Sequence, residues 1–138
     1  MKYALSFTAA LLIFASCSKL EDGPAISFRS KENRLIGKWR LTKWMEDGVD
    51  ITASQTNGVD IVFQFEENKS LTIDRGQAEI LEGSWNLEEN NVIMDLQMLS
   101  EFGNYIDKDT LFLKRLTNKE IVARYNDVVE TELVFEAQ

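Results

Sequence analysis

From Gly37 to the C-terminus the apolar residues alternate. Val59, Ile61, Phe63 and Phe65 are interleaved with Asp60, Gln64 and Glu66, a period of two that puts one face of a strand against a core and that a helix would scatter around its surface. Leu71 with Ile73 repeats it, as do Val92, Met94, Leu96 and Met98, Leu111 with Leu113, and Leu133 with Phe135. Between these runs stand "EDGVD", "EENK", "LEENN", "EFGN", "LTNKE" and "YNDVV", most of them holding the Asn, Asp or Gly that tight turns favour.

The pattern predicts about eight strands, near 37–46, 59–66, 69–75, 78–87, 91–99, 108–116, 119–126 and 129–137. No segment after residue 37 sustains helical periodicity for three turns, and the single Pro of the chain leaves the strands unbroken. Eight antiparallel strands joined by short turns close into a barrel, which removes the edges that an open sheet must defend. The expected fold is therefore all-β, an antiparallel eight-stranded barrel. The longer connection "DGVDITASQTNG" is expected to lie across one mouth.

At 138 residues, 44% of them hydrophobic and 28% charged, the chain has the size and composition of one globular domain. Asp and Glu outnumber Lys and Arg by 23 to 15, a net charge of -8. That balance argues against nucleic acid as a partner, because phosphate backbones are held by clustered Lys and Arg.

The first residues follow other rules. Lys2 gives a small positive start, and Tyr3 to Ser16 is uncharged, long enough for a signal-peptide core but short of the roughly 18 to 20 residues of a transmembrane helix. The stretch "IFASC" then closes an apolar run with small Ala15 and Ser16 before Cys17, the only cysteine. It resembles the lipobox of bacterial lipoproteins, with Phe14 where Leu is usual. The resemblance implies that the Cys17 sulfur receives a diacylglycerol and that the chain is cut just before it. Each buried methylene contributes about 0.8 kcal/mol, and one acyl chain holds a protein only marginally, so two or more make a stable anchor. The alternative is a free thiol, and a leftover cysteine is unusual in an exported chain.

The organisation expected is a signal peptide over 1–16, a lipidated Cys17 with a linker over 17–33, and a barrel domain over 34–138. The linker begins "SKLED", continues through Gly23 and Pro24, which break a helix, and has room for a helical turn in its second half. Lys19, Glu21 and Asp22 resemble the signals that send some lipoproteins of Gram-negative bacteria to the cell surface; a plain solvated tether is the other reading. The membrane, reached through Cys17, is thus the first expected partner, and the expected location is the cell envelope, on the periplasmic or outer face of the outer membrane.

"LIGKWRL" contains Gly37, Lys38 and Trp39, and this G-x-W at the start of the first strand resembles the lipocalin signature. With "FQFEENKSLTI", "GSWNLEENNVIMDL" and "LTNKEIVARY" in that order, residues 35 to 137 resemble the small lipocalin-like lipoproteins of gut-type Gram-negative bacteria. The resemblance implies that Gly37 and Trp39 close one end of the barrel. It also implies an Arg stacked on that Trp, for which Arg124 in "VARY" is the candidate; such a cation–π contact is worth about 0.5 to 2 kcal/mol. The "TDY" element of many lipocalins is missing.

An eight-stranded barrel is filled by its own side chains or admits one small ligand. Inward candidates for an apolar pocket are Trp39, Leu41, Ile61, Phe63, Trp85, Met94 and Leu96, and each has plain core packing as its alternative, since a domain this small needs most of its apolar residues for stability. The leading expectation is a small apolar or amphipathic ligand. The second is a docking protein for an envelope protein or a glycan, with Trp44, Phe102 and Tyr105 as exposed aromatics, packing under the linker being the alternative for Trp44.

Catalysis is not expected. With no His in the chain, imidazole bases, Ser-His and Cys-His pairs and His-containing zinc sites are excluded. The carboxylate pairs Glu66 with Glu67 and Glu88 with Glu89 point to opposite faces of a strand, and only Asp107 with Asp109 can share one. No acid, base and oxyanion donor assemble from these residues, and no cofactor is implied. Asp107, Asp109 and Asp127 offer hard oxygen ligands but lack the spacing of a calcium loop. The "NKS" sequon at Asn68 is a chance match behind a lipobox-like start; "DTL" at Asp109 to Leu111 resembles an O-glycosylation motif of exported proteins in bacteria with such lipoproteins, but three residues prove little.

Overall fold

The computed structural model describes residues 29–77, 79–125 and 130–138. Cys17, the signal peptide and the linker up to residue 28 lie outside the described residues. A short helix, α1 (Lys31–Leu35), precedes β1 (Gly37–Glu46), β2 (Val49–Asp50) and a second short helix, α2 (Thr52–Thr56). Then follow β3 (Val62–Phe65), β4 (Ser70–Asp74), β5 (Ile80–Glu88), β6 (Asn91–Ser100), β7 (Gly103–Leu116), β8 (Glu120–Tyr125) and β9 (Thr131–Ala137).

Every neighbouring pair is antiparallel, and β1 pairs with both β3 and β9. Eight strands, β1 and β3 to β9, therefore close on themselves, while β2 is a two-residue return on the end of β1. The loop making that return is Asp47-Gly48, both with positive φ (48° and 79°), the backbone twist that a two-residue hairpin requires.

Two bulges interrupt the alternation. In β1, Leu41 pairs with Phe135 but Lys43 with Val134, leaving Thr42 as the extra residue; its hydroxyl donates to the Val134 carbonyl at 3.1 Å. In β7, Leu113 pairs with Ala123 but Arg115 with Val122, so Lys114 is extra. An extra residue turns every later side chain to the other face. Trp39 and Leu41 point inward before the first bulge and Trp44 after it; Leu113 and Leu116 are buried on either side of the second.

One end of the barrel is sealed. Ser30 caps α1 by accepting from the Asn33 N–H. Four contacts then lay the helix across the opening: Lys31 Nζ donates to Asn90 Oδ1 at 2.6 Å, Arg34 Nη1 to the Leu116 carbonyl at 2.8 Å, Trp39 Nε1 to the Leu35 carbonyl at 2.7 Å, and Lys69 pairs with Glu32. Beneath it Leu35, Trp39, Phe65, Leu71, Trp85 and Leu116 are each no more than 2% exposed. Phe65 meets Trp85 edge-on with centroids 5.5 Å apart, an arrangement worth about 0.5–1.5 kcal/mol beyond the area it buries.

The boundaries differ from expectation at α1, at β3, which starts at Val62 rather than near 59, and at β7. α1 straddles the expected linker boundary at 33/34 and packs as part of the domain. β7 starts at Gly103 rather than near 108, because the turn expected over "EFGN" tightens to Glu101 and Phe102, with Ser100 opposite Gly103. The β6–β7 hairpin therefore runs well beyond Leu111, the last β7 residue to pair with β8. Five-residue α2 is too short to leave a periodic signal.

Gly83 marks the place where β5 passes from pairing with β4 to pairing with β6. A Cβ there would lie 2.1 Å from the Asp95 carbonyl oxygen, so only glycine lets the strands approach so closely at this corner. Gly83→Ala is expected to lower stability by about 1–3 kcal/mol or more, while Ser84→Ala on the outer face changes it by less than about 0.5 kcal/mol. Urea denaturation of the two variants measures the contrast.

Candidate functional site

The interior is not filled throughout. A cavity of about 260 Å³ lies within it, and its deep wall is apolar: Leu41, Ile61, Ile73, Met94, Leu96 and Leu111, all nearly buried. Phe63 packs edge-on against Phe135 at 5.0 Å and forms part of the same wall. Five of the seven inward residues read from the sequence, Leu41, Ile61, Phe63, Met94 and Leu96, line this space. Trp39 and Trp85 do not. Each is 2% exposed at the sealed end, where its indole N–H is used, by the Leu35 and Glu66 carbonyls respectively.

The barrel-closing set needs one correction. Gly37 and Trp39 stand at the sealed end, but Arg124 is not stacked on Trp39. Ile121, Ala123 and Tyr125 take the inward positions of β8, so Arg124 points outward, with its guanidinium carbon 5.2 Å from the Phe112 ring centroid. The cation lying on an indole at the sealed end is Lys69, with Nζ 4.2 Å from the Trp85 centroid.

The rim of the cavity is polar. Gln55 of α2, Arg75, Asp107, Asp109 and Tyr125 reach it from four parts of the chain. Asp107 and Asp109 do share the inward face of β7, as their spacing requires. The Tyr125 hydroxyl donates to Asp109 Oδ2 at 2.9 Å. Burial first, and then that bond and the Asp109 and Asp107 charges, hold the Tyr125 phenol well above its ordinary pKa; Arg75 opposes them weakly. Arg75 itself pairs with Glu79 at 3.3 Å.

Trp44 belongs to this site and not to an outer docking face. Its ring meets Tyr125 edge-on, 6.3 Å between centroids, and lines the cavity. Strict alternation from Trp39 would turn it outward, so the Thr42 bulge is what the sequence reading missed. Both backbone groups of Trp44 are tied to the connection beside α2: its N–H donates to Thr52 Oγ1 at 2.8 Å and its carbonyl accepts from the Ile51 N–H at 2.9 Å. Thr52 in turn donates twice to Asp50 Oδ1, which holds the Asp50 carboxyl below its ordinary pKa. The long connection is thus pinned at the mouth, with Gln55 on the cavity.

The other two aromatics stand apart on the β6–β7 hairpin, Phe102 fully exposed at its turn and Tyr105 half exposed. Among the described residues no three His, Cys, Asp or Glu gather as a metal-binding group; Asp127 lies outside the described residues.

A closed eight-stranded antiparallel barrel, sealed at one end by a G-x-W tryptophan and a short helix, is matched over residues 35–123 by the model of the lipocalin-like domain family. The chain belongs to the lipocalin-like domain family. Solved structures share the fold. A lipocalin-like protein from Bacteroides thetaiotaomicron VPI-5482 is 19% identical, covering 75% of this chain and 95% of its own at a TM-score of 0.51. A lipocalin-like protein from Bacteroides uniformis ATCC 8492 is 14% identical, covering 76% and 99% at 0.51. An uncharacterized protein from Bacteroides eggerthii DSM 20697 is 20% identical, covering 75% and 99% at 0.54. No curated protein matches the chain. Lipocalin-like domains are typically binding folds rather than catalytic ones.

The raised pKa of Tyr125 predicts a pH dependence for this lipocalin-like barrel. The neutral phenol's contribution to stability is complete below the ordinary value of 10.0 and is lost as pH climbs through the higher folded value, because the unfolded chain gives up the proton first. Stability measured by urea denaturation is expected to fall more steeply from about pH 10 to about pH 11.5, above the ordinary phenol value, in the parent than in Tyr125→Phe.

Proposed function

We propose that this chain is an outer-membrane lipoprotein, anchored through acylated Cys17, whose lipocalin-like barrel binds a small apolar or amphipathic ligand. The cavity at the open end is the observation that carries the ligand reading. Its volume of about 260 Å³ sits just below the roughly 300–1,000 Å³ of sites for drug-sized molecules, so the occupant is small. Its walls are apolar and, among the described residues, its charged groups stand at the rim, the distribution that orients an amphipathic molecule with its polar end outward.

The anchor reading rests on the lipobox-like "IFASC" and on the charged tether after it. The chain reaches the barrel at the sealed end, through α1, so a tether from Cys17 would attach at the end opposite the mouth. Binding needs no chemistry at the site, which fits a chain without His. The second reading, a docking protein for an envelope protein or glycan, is favoured by the exposed Leu99, Phe102, Tyr105 and Ile106 on the β6–β7 hairpin.

The readings separate experimentally. Mass spectrometry of the organic extract of the purified chain is expected to show one small hydrophobic molecule in stoichiometric amount. Leu81→Trp, which places an indole in the cavity from a partly exposed position, is expected to lose that molecule at a stability cost of no more than about 1–3 kcal/mol. Retention by Leu81→Trp combined with loss on Phe102→Asp would favour the hairpin instead. Cys17→Ala is expected to shift the protein out of the membrane fraction, and an unchanged fractionation would remove the anchor.

A further inference from the structure

The rim of the cavity is not a neutral polar ring: among the described residues its charges are two carboxylates, Asp107 and Asp109, against one guanidinium, Arg75. The one donor proton of Tyr125 is spent on Asp109 Oδ2, at 2.9 Å. Nη1 of Arg75 pairs with Glu79 at 3.3 Å, an exposed contact that offsets part of its charge. The positive charge nearest in sequence, Lys108, projects to the outer face and pairs with Asp95 at 3.5 Å. Asp107 has no ion-pair or hydrogen-bond partner among the described residues, and neither has Asp109 Oδ1. Gln55 and the remaining N–H groups of Arg75 can still donate, but the net charge the described rim residues offer a guest is negative, on two carboxylates that β7 sets two residues apart on the cavity face.

Below those carboxylates the surroundings also favour a cation. Trp44 and Tyr125 stand edge to face beside the rim, and Phe63 lies deeper; aromatic faces attract ammonium groups and offer nothing comparable to an anion. A guest carboxylate would meet Asp107 and Asp109 at short range, where like charges repel in the reduced dielectric of a half-enclosed site. A guest ammonium would satisfy both.

Resting on the cavity reading above, we infer that the site selects small amphipathic cations, primary amines with a short alkyl or aralkyl tail. The ammonium group sits between Asp107 and Asp109, and the tail lies against Phe63, Met94 and Leu96. The two carboxylates set the sign of the head group, and the volume beneath them sets the length of the tail.

Hexylamine, hexanol and hexanoate share one tail and differ in head charge, so they test the inference directly. Each is titrated at pH 7 into the full chain in a non-ionic detergent, by calorimetry and by tryptophan fluorescence, since Trp44 lines the site. The amine is expected to bind at least tenfold more tightly than the alcohol, with the carboxylate weakest. Asp107→Asn with Asp109→Asn, which keeps an acceptor for Tyr125, is expected to bring amine and alcohol within about twofold while alcohol binding is retained and circular dichroism is unchanged. Equal binding of all three by the parent, or a preference for hexanoate, would overturn the selectivity and leave the cavity reading standing. Binding of none of the three would overturn both, and so would an undiminished amine preference in the double variant overturn the assignment to these aspartates.

Discussion

The ladder that joins β1 to β9, from Trp39 against Ala137 to Glu46 against Thr131, is the constraint on which the rest depends. It is also the pairing most distant in sequence, made between the first and the last long strands. Without it the same eight strands would form an open sheet with two exposed edges and a single buried face. With it there is an inside, and each inward residue of the meander acquires neighbours across a lumen as well as along a sheet. The Thr42 bulge lies within this ladder, so the contact that closes the barrel is also the one that decides which way Trp44 points.

The interior that results is divided between two tasks. Toward α1 the side chains interlock: Leu35, Trp39, Phe65, Leu71, Trp85 and Leu116 are essentially inaccessible, each contributing on the order of 1.5–3 kcal/mol by its removal from water. Toward the mouth Trp44, Phe63, Leu81, Met98 and Tyr125 are only partly buried, and they surround empty volume instead of filling it. A small domain that left its whole lumen hollow would forgo the burial it needs to fold. Concentrating the dense packing at one end lets the other remain open.

Much of this was legible in the sequence, because alternation is a local signal. Asn91–Ser100 and Gly37–Glu46 lie within a residue of where the periodicity put them, and five of the seven expected inward residues line the cavity. The failures share a physical origin in features that alternation does not encode. Thr42 carries no mark of a bulge, so Trp44 reads as an outward aromatic. The neighbours of Arg124 in "VARY" resemble a family pattern, whereas the inward phase of β8 belongs to Ala123 and Tyr125. Asp107 and Asp109 were recognised as sharing a face, yet nothing in their spacing reveals that the face is a cavity rim, because that follows only from where the barrel stops being filled.

The direction of the barrel relative to its N-terminus carries the last step. α1 seals the end at which the chain arrives, and its bonds to Asn90, Leu116 and Lys69 tie it to three separate turns and strands there. Any pull transmitted along a tether would therefore act first on the densest part of the molecule. The hollow end, with α2 and the projecting β6–β7 hairpin, lies at the opposite pole, where only short loops and partly buried side chains would have to adjust to admit a guest. Under the proposed anchor this polarity separates mechanical attachment from binding, so that a ligand can come and go at the mouth without loosening the contacts that hold the barrel shut at the tethered end.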